Sequence, residues 1–264
     1  MRRVPFKVLL ALGAAGLSAL VLPSCATNDS MIYIVGVAVR QQGSCAVKGD
    51  LGGTILAKGT MDRLFASEYV AALEVGNQLM QRGSRERVRT ETSRVSLKGA
   101  EVKLENSQGD ELVPSFSAVG TGFVDASDGQ DAAPAVMFAT LIPNSVAGKL
   151  PPGTVVSKVR VFGTTLGGED VESGELLFPI DVCDGCLVSF PASARDPAAD
   201  SMTYQCKINS TDAAVASSDN AALPCNLGVD FSVPCTVCSG LYDACLMPTK
   251  NCYYTPDAPG CPTP

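Results

Sequence analysis

The chain has 264 residues, a formal net charge of −7, and neither histidine nor tryptophan. Without histidine there can be no Ser-His-Asp triad, no Cys-His pair and no histidine metal ligand, which excludes most hydrolase and metalloenzyme classes. The acidic balance argues against nucleic acid as a partner, because phosphate contacts need lysine and arginine.

The first residues of the chain have the organisation of a secretory signal. Arg2, Arg3 and Lys7 precede an apolar run over residues 8–22. A basic start, a short apolar core and a small residue before the cleavage site are typical of such signals. The run is shorter than the roughly 20 residues that a membrane-spanning helix needs. We therefore interpret residues 1–24 as a signal peptide and not as a transmembrane anchor.

The end of this signal, Leu22-Pro23-Ser24-Cys25, resembles the lipobox of bacterial lipoprotein precursors. In that family the cysteine receives a diacylglycerol, the signal is removed before it, and the new amino terminus is acylated, for example with palmitate. The resemblance implies lipidation of Cys25, with residues 25–31 as a tether to the membrane. In that family an aspartate after the cysteine retains the protein at the inner membrane. Ala26 stands there, which favours the outer membrane, on its periplasmic or cell-surface face. The alternative is an ordinary signal peptide with an incidental cysteine.

The number of cysteines fits an exported, lipidated protein. Assigning Cys25 to lipid leaves ten of the eleven cysteines. An even count in an exported protein indicates disulfides. The ten disulfide candidates are Cys45, Cys183, Cys186, Cys206, Cys225, Cys235, Cys238, Cys245, Cys252 and Cys261.

Strand patterns dominate residues 32–191. About eight short segments alternate between apolar and polar residues or are rich in β-branched residues, turn signals separate them, and no long helical period appears. In one segment, residues 94–105, the alternation switches at Lys98-Gly99, as a β-bulge would produce. The sequence therefore predicts a mainly β protein, an antiparallel β-sandwich of immunoglobulin-like architecture.

The composition changes after residue 191. Residues 192–264 are rich in cysteine, proline, serine and aspartate, and few runs in them could form strands. So small a core needs cross-links. We expect either a small disulfide-held module or a cystine-pinned tail that packs on the sandwich. Cys45 has no other disulfide candidate near it in sequence, so we expect it to tie the two parts together.

One segment of the chain, residues 82–98, is basic. Its functional interpretation is a contact with an anion or with lipopolysaccharide. Glu86 and Glu91 lie among the basic residues, which favours a solvated edge strand whose charge prevents pairing with another edge. The basic residues are Arg82, Arg85, Arg87, Arg89, Arg94 and Lys98.

Two CxxC motifs occupy residues 183–186 and 235–238. In a reducing compartment they would suggest a four-cysteine zinc site. Their long separation and an oxidising compartment favour disulfides. A thioredoxin-like redox role needs the motif to open a helix in a βαβ unit, whereas the first motif here follows a predicted strand. We therefore predict disulfides, with no metal and no cofactor.

Residues 73–79, 99–104, 159–163 and 183–188 resemble segments of uncharacterised myxobacterial-type surface lipoproteins. The resemblance covers roughly residues 32–191, and it implies an exported, anchored, β-rich protein without any catalytic residue that can be carried over. We expect a non-enzymatic structural or binding module of the cell envelope, anchored to the membrane through Cys25, with an envelope protein or a glycan as partner. The alternatives are an envelope enzyme that uses carboxylates, for example on glycans, and a solute- or metal-binding lipoprotein.

Overall fold

The computed structural model describes residues 31–41, 44–83, 91–189 and 225–234. They form a mainly β protein, as the sequence predicts. In the described part of the chain, no helix is long and apolar enough to cross a membrane. The elements are β1 (Ile32–Ala38), β2 (Ile55–Leu56), β3 (Gly59–Asp62), β4 (Tyr69–Asn77), β5 (Val95–Asn106), β6 (Glu111–Val124), β7 (Ala133–Ile142), α1 (Asn144–Ala147), β8 (Gly153–Thr165), β9 (Asp170–Glu172), β10 (Leu176–Cys183), β11 (Val188–Ser189) and β12 (Val233–Pro234).

The strands form two principal sheets. The first has the order β2-β1-β4-β7, and the second has the order β3-β10-β8-β5-β6 with β9 beside β8. All pairs of the first sheet are antiparallel. The second sheet is mixed, because β3 runs parallel to β10. A short parallel pair, β11 with β12, stands apart. The immunoglobulin-like strand arrangement stays a prediction.

Both sheets bury their apolar side chains in one hydrophobic core. Successive side chains of a strand point to opposite faces, so alternate residues of each strand reach the core. Leu73 of β4 and Val159 of β8 are fully buried in this core, one from each sheet. Val229, from the segment of residues 225–234, belongs to the same core. We call residues 225–234 the C-terminal segment; they are packed on the two sheets.

The structure contains the bulge that the sequence predicts in β5. The register of β5 against both of its neighbours shifts between Leu97 and Gly99. A Cβ atom on Gly99 would lie 2.6 Å from the carbonyl oxygen of Ala118, so the close approach of the two backbones requires glycine there. The shift lets Leu97 and Ala100, which have opposite sequence parity, both be buried.

The two ends of the β domain carry different features. β1 begins at Ile32, which is paired with Asn77 at the end of β4. The buried side-chain amide of Asn77 donates to the carbonyl oxygen of Ser93, 2.9 Å away, in the segment that leads into β5. We call this the Ile32 end. At the opposite end, the Cys183 end, β10 finishes with Cys183 paired to Asp62 of β3. A tether over residues 25–31 would therefore join the β domain at the Ile32 end.

The edge-strand interpretation of the basic segment is wrong for its described residues: residues 82, 83 and 91–94 lie outside any strand, and residues 95–98 belong to β5. The buried carboxylate of Glu91 accepts hydrogen bonds from the N–H groups of Gly83, at 2.9 Å, and Ser93, at 2.8 Å. Glu91 therefore links the described residues on either side of positions 84–90. Strand β5 is central and lies between β6 and β8. Arg85, Arg87 and Arg89 lie outside the described residues.

Replacing Glu91 with glutamine is expected to lower the free energy of unfolding at pH 7 by about 1–3 kcal/mol, because the amide accepts fewer of these hydrogen bonds. Burial alone would raise the pKa of Glu91, but the N–H groups of Ser93, Gly83 and Arg82 together lower that pKa. A carboxyl group with a lowered pKa stabilises the fold above its unfolded pKa, and this stabilisation is lost as pH falls through the folded pKa.

The difference in stability between wild type and Glu91→Gln should therefore shrink as the pH falls below the ordinary carboxyl pKa of 4.5. Guanidinium denaturation of both proteins at a series of pH values measures this difference. The contributions of all other titratable groups cancel, because the two proteins share those groups. Glu101→Gln is the matched control, because Glu101 is exposed on the outer face of β5. An equal loss at neutral and acid pH would contradict the prediction.

Candidate functional site

Four of the ten disulfide candidates lie in the described residues, and the structure pairs all four. Cys45 bonds to Cys225 across a sequence separation of 180, with Cα atoms 5.4 Å apart. This bond ties the N-terminal part of the chain to the C-terminal segment. The second bond joins Cys183 to Cys186. The lipidation candidate and the remaining disulfide candidates lie outside the described residues: Cys25, Cys206, Cys235, Cys238, Cys245, Cys252 and Cys261.

The first CxxC motif forms a tight loop at the Cys183 end. Gly185 has a φ of 80°, a left-handed conformation that favours glycine. The loop leaves Cys183 partly buried at the end of β10 and exposes Cys186. Because both sulfurs are used in the disulfide, the motif offers no thiolate to a zinc ion in this oxidised form.

A fully buried carboxylate, that of Asp62, lies against this loop. Its Oδ1 accepts a hydrogen bond from the N–H of Gly185 at 2.7 Å, and its Oδ2 accepts one from the N–H of Leu187 at 3.0 Å. One oxygen of Asp62 and the sulfurs of Cys183 and Cys186 lie within 4.8 Å of one another. Asp62 therefore holds the loop through bonds that do not involve the disulfide.

An ion pair fixes the exposed side of the same loop. The Nε of Arg63 donates to Oδ1 of Asp184 at 3.0 Å, and its Nη2 donates to Oδ2 of the same carboxylate. Such two-point contacts between guanidinium and carboxylate restrict geometry as well as adding energy. Arg63 also donates to the carbonyl oxygen of Leu150 at 2.6 Å. The site thus combines an exposed sulfur, a buried carboxylate and a surface ion pair.

A second buried polar cluster fixes the C-terminal segment. The hydroxyl of Tyr69 donates to the carboxylate of Asp230 at 2.9–3.0 Å, and the N–H of Thr60 donates to it at 2.9 Å. Burial raises the pKa of Asp230, and these two donors act against that rise. Burial, followed by the charge of Asp230, raises the pKa of Tyr69. The cluster anchors the C-terminal segment to β3 and β4, which is a structural role.

Glu74, in the middle of β4, is a buried carboxylate that differs from Asp62 and Asp230 in its hydrogen bonding. It is 1% exposed, and in the described structure its Oε1 has no hydrogen-bond partner. Burial raises its pKa, and the nearby charge of Asp50 adds to the rise. The loop that carries Asp50 covers this face of the first sheet, where Gly49 lies against Val136. A buried carboxyl group with a raised pKa is the kind of group that general acid catalysis uses.

No sequence pattern identifies Asp62, Asp230 or Glu74 as a site residue. Asp62 and Asp230 act on partners more than 100 residues away along the chain, and no local pattern marks such pairs. Glu74 occupies the alternate position between Leu73 and Val75, where a strand pattern predicts an outward polar side chain. Its neighbours in the sequence give no sign of the covering loop.

No protein-family model matches this chain, and no curated protein matches it either. The resemblance to myxobacterial-type surface lipoproteins stays a prediction from the sequence.

Proposed function

We propose that this protein is a lipid-anchored protein of the outer membrane whose β domain is a non-enzymatic structural or binding module, with an envelope protein or a glycan as partner. The observation that carries the proposal is the pairing of Cys45 with Cys225 and of Cys183 with Cys186. Disulfides persist in oxidising compartments, whereas the cytosol keeps thiols reduced. The pairing therefore fits an exported protein, and a lipid on Cys25 would supply the anchor.

The start of β1 supports an anchor close to the membrane. Six residues separate Cys25 from Ile32, and an extended chain spans at most about 3.5 Å per residue. A lipid on Cys25 would hold the Ile32 end within roughly 25 Å of the membrane surface. The Cys183 end would then face away from the membrane, where it is accessible to a partner.

Several buried carboxylates support a structural rather than a catalytic role. Asp62 and Glu91 each bind backbone N–H groups of a loop. Glu105 pairs with Lys103 at 2.9 Å and with Lys158 at 2.8 Å on the outer face of the second sheet. A substrate would have to displace these partners before any of the three carboxylates could act on it.

Intact mass of the protein extracted from the membranes of its native cells tests the proposal, with alkylation before and after reduction. The expected mass shows cleavage before Cys25, added acyl chains, and ten alkylation sites that appear only after reduction. A Cys25→Ala variant should lack the acyl chains and leave the membrane fraction. Cleavage at another position with an unmodified Cys25 would contradict the anchor.

Glu74 favours one alternative, an envelope enzyme that uses carboxylates. Its raised pKa and its unpaired oxygen are suited to a general acid. Reproducible turnover of a glycan, lost in Glu74→Gln and kept in Glu101→Gln, would replace the non-enzymatic proposal. Metal analysis of the purified protein distinguishes the other alternative, a metal-binding lipoprotein.

A further inference from the structure

We propose that the Cys183–Cys186 disulfide is a reversible thiol–disulfide exchange site that accepts electrons from a dithiol, with Cys186 as the sulfur that is attacked. This activity goes beyond anchoring and binding. It also differs from a thioredoxin-like site, because the motif follows strand β10 and does not open a helix.

The exposure of the two sulfurs assigns their roles. A thiolate attacks a disulfide at the sulfur that it can reach, and the other sulfur leaves. Cys186 is exposed, whereas Cys183 is partly buried at the end of β10. The Sγ of Cys183 lies 3.7 Å from the carbonyl oxygen of Met61, which can accept a hydrogen bond from the thiol once the disulfide is broken. Attack at Cys186 therefore leaves Cys183 with a partner.

The loop keeps its other bonds when the disulfide breaks. The hydrogen bonds from Gly185 and Leu187 to Asp62 do not depend on the S–S bond. The pairing of β10 with β3 continues as far as Cys183. Both thiols therefore stay close enough to form the bond again, as a reversible site requires.

The length of the closed loop points the same way. Cys183 and Cys186 are three positions apart, whereas Cys45 and Cys225 are 180 apart. A cross-link restricts the unfolded chain more when it closes a longer loop. The short bond therefore adds less to stability than the long one does, so the fold is more able to tolerate its loss.

The exchange takes place in two steps. The thiolate of the external dithiol attacks Sγ of Cys186, the S–S bond breaks, and its electron pair stays on Sγ of Cys183, which takes up a proton. The second thiolate of the dithiol then attacks its partner sulfur in the mixed disulfide and releases Cys186, which is also protonated. The protein gains two electrons and two protons, and the dithiol becomes a disulfide.

Selective reduction of the folded, full mature chain tests this proposal without reference to the lipid. The protein is treated with increasing dithiothreitol, alkylated and digested with trypsin. Peptide 161–195 contains only Cys183 and Cys186, and peptide 41–48 contains only Cys45. We expect alkylation of peptide 161–195 at dithiothreitol concentrations that leave Cys45 bonded and the circular dichroism spectrum native. Simultaneous reduction of both bonds, or reduction only in denaturant, would overturn the proposal.

A matched pair of variants tests which sulfur is attacked. Cys183→Ala leaves a free Cys186, and Cys186→Ala leaves a free Cys183. With oxidised glutathione as the probe, the free Cys186 should form the mixed disulfide faster than the free Cys183. Equal rates, or a faster reaction at Cys183, would overturn the assignment of Cys186.

The ion pair between Arg63 and Asp184 allows a third test, in which one charge at the loop is removed. Asp184→Asn removes a carboxylate from the loop and leaves the guanidinium of Arg63 without that partner. Reduction of the Cys183–Cys186 bond by an anionic thiol should then become roughly two- to threefold faster. Asp170→Asn makes the same charge change at the Ile32 end and should leave the rate unchanged. If the two variants changed the reduction rate equally, the effect would come from the net charge of the protein and not from the charge at this loop. That result would contradict an exchange site at this loop.

Discussion

Replacing Cys45 and Cys225 together with serine is expected to lower the free energy of unfolding by about 5 kcal/mol. The bond joins residues 180 positions apart. The cross-link lowers the conformational entropy of the unfolded chain, which stabilises the folded state. This reduction in entropy grows with the length of the closed loop. Guanidinium denaturation followed by circular dichroism measures the loss, because the chain has no tryptophan to report by fluorescence.

The matched control replaces Cys183 and Cys186 together with serine. The same chain-entropy relation gives a loss of about 2 kcal/mol for this short loop. Each double variant removes both partners, so no free thiol is created. A loss below about 2 kcal/mol for the Cys45–Cys225 pair would contradict the prediction. That outcome would mean that the bonds from Tyr69 and Thr60 to Asp230 suffice to hold the C-terminal segment.

Features that depend on neighbouring residues could be predicted from the sequence. The alternation in β5 and its switch at Gly99 identify both a strand and its bulge, because the two-residue period and the glycine are local signals. The connection between β8 and β9 also carries a local signal, the adjacent glycines Gly167 and Gly168. Gly168 has a φ of 92°. These signals require no knowledge of which strands pair.

Features that depend on the pairing of distant strands could not be predicted. In the sequence, Pro179 favours an edge strand or a kink, since proline donates no backbone hydrogen bond. The structure puts β10 between β8 and β3, but β3 pairs only with the part of β10 that begins at Ile180. Pro179 lies just before this paired part, where β10 has one neighbour. The local signal was correct, and the strand order that explains it was not in the sequence pattern.

The candidate site illustrates the same limit. The CxxC motif is visible in the sequence, and its long separation from the second motif together with an oxidising compartment favours a disulfide over a zinc site. Its partner Asp62 precedes Gly185 by 123 positions. Asp62 ends a short strand whose parallel pairing with β10 brings it to the loop. Aspartate is usually found at the surface, and Asp62 is fully buried because of this strand pairing.

Replacing Asp62 with alanine is expected to lower the free energy of unfolding by about 3–5 kcal/mol. The carboxylate is fully buried and accepts hydrogen bonds from the N–H groups of Leu64, Gly185 and Leu187. Alanine leaves these three donors without their acceptor, and each buried donor without a partner costs about 1–3 kcal/mol, with incomplete additivity. Guanidinium denaturation measures the loss, and hydrogen exchange at Gly185 and Leu187 locates it.

Asp181→Ala is the matched control for Asp62→Ala. Asp181 lies on the neighbouring strand β10, but its carboxylate is partly exposed and pairs with Lys58 and Thr154 at the surface. Exposed pairs of this kind contribute about 0–1 kcal/mol, so the control should lose little stability. If the two variants lost equal stability, or if exchange at Gly185 and Leu187 stayed slow in Asp62→Ala, Asp62 would not be the residue that holds the loop. The return of the two sulfurs to bonding distance after reduction would then depend on the Arg63–Asp184 pair and the β3–β10 ladder alone.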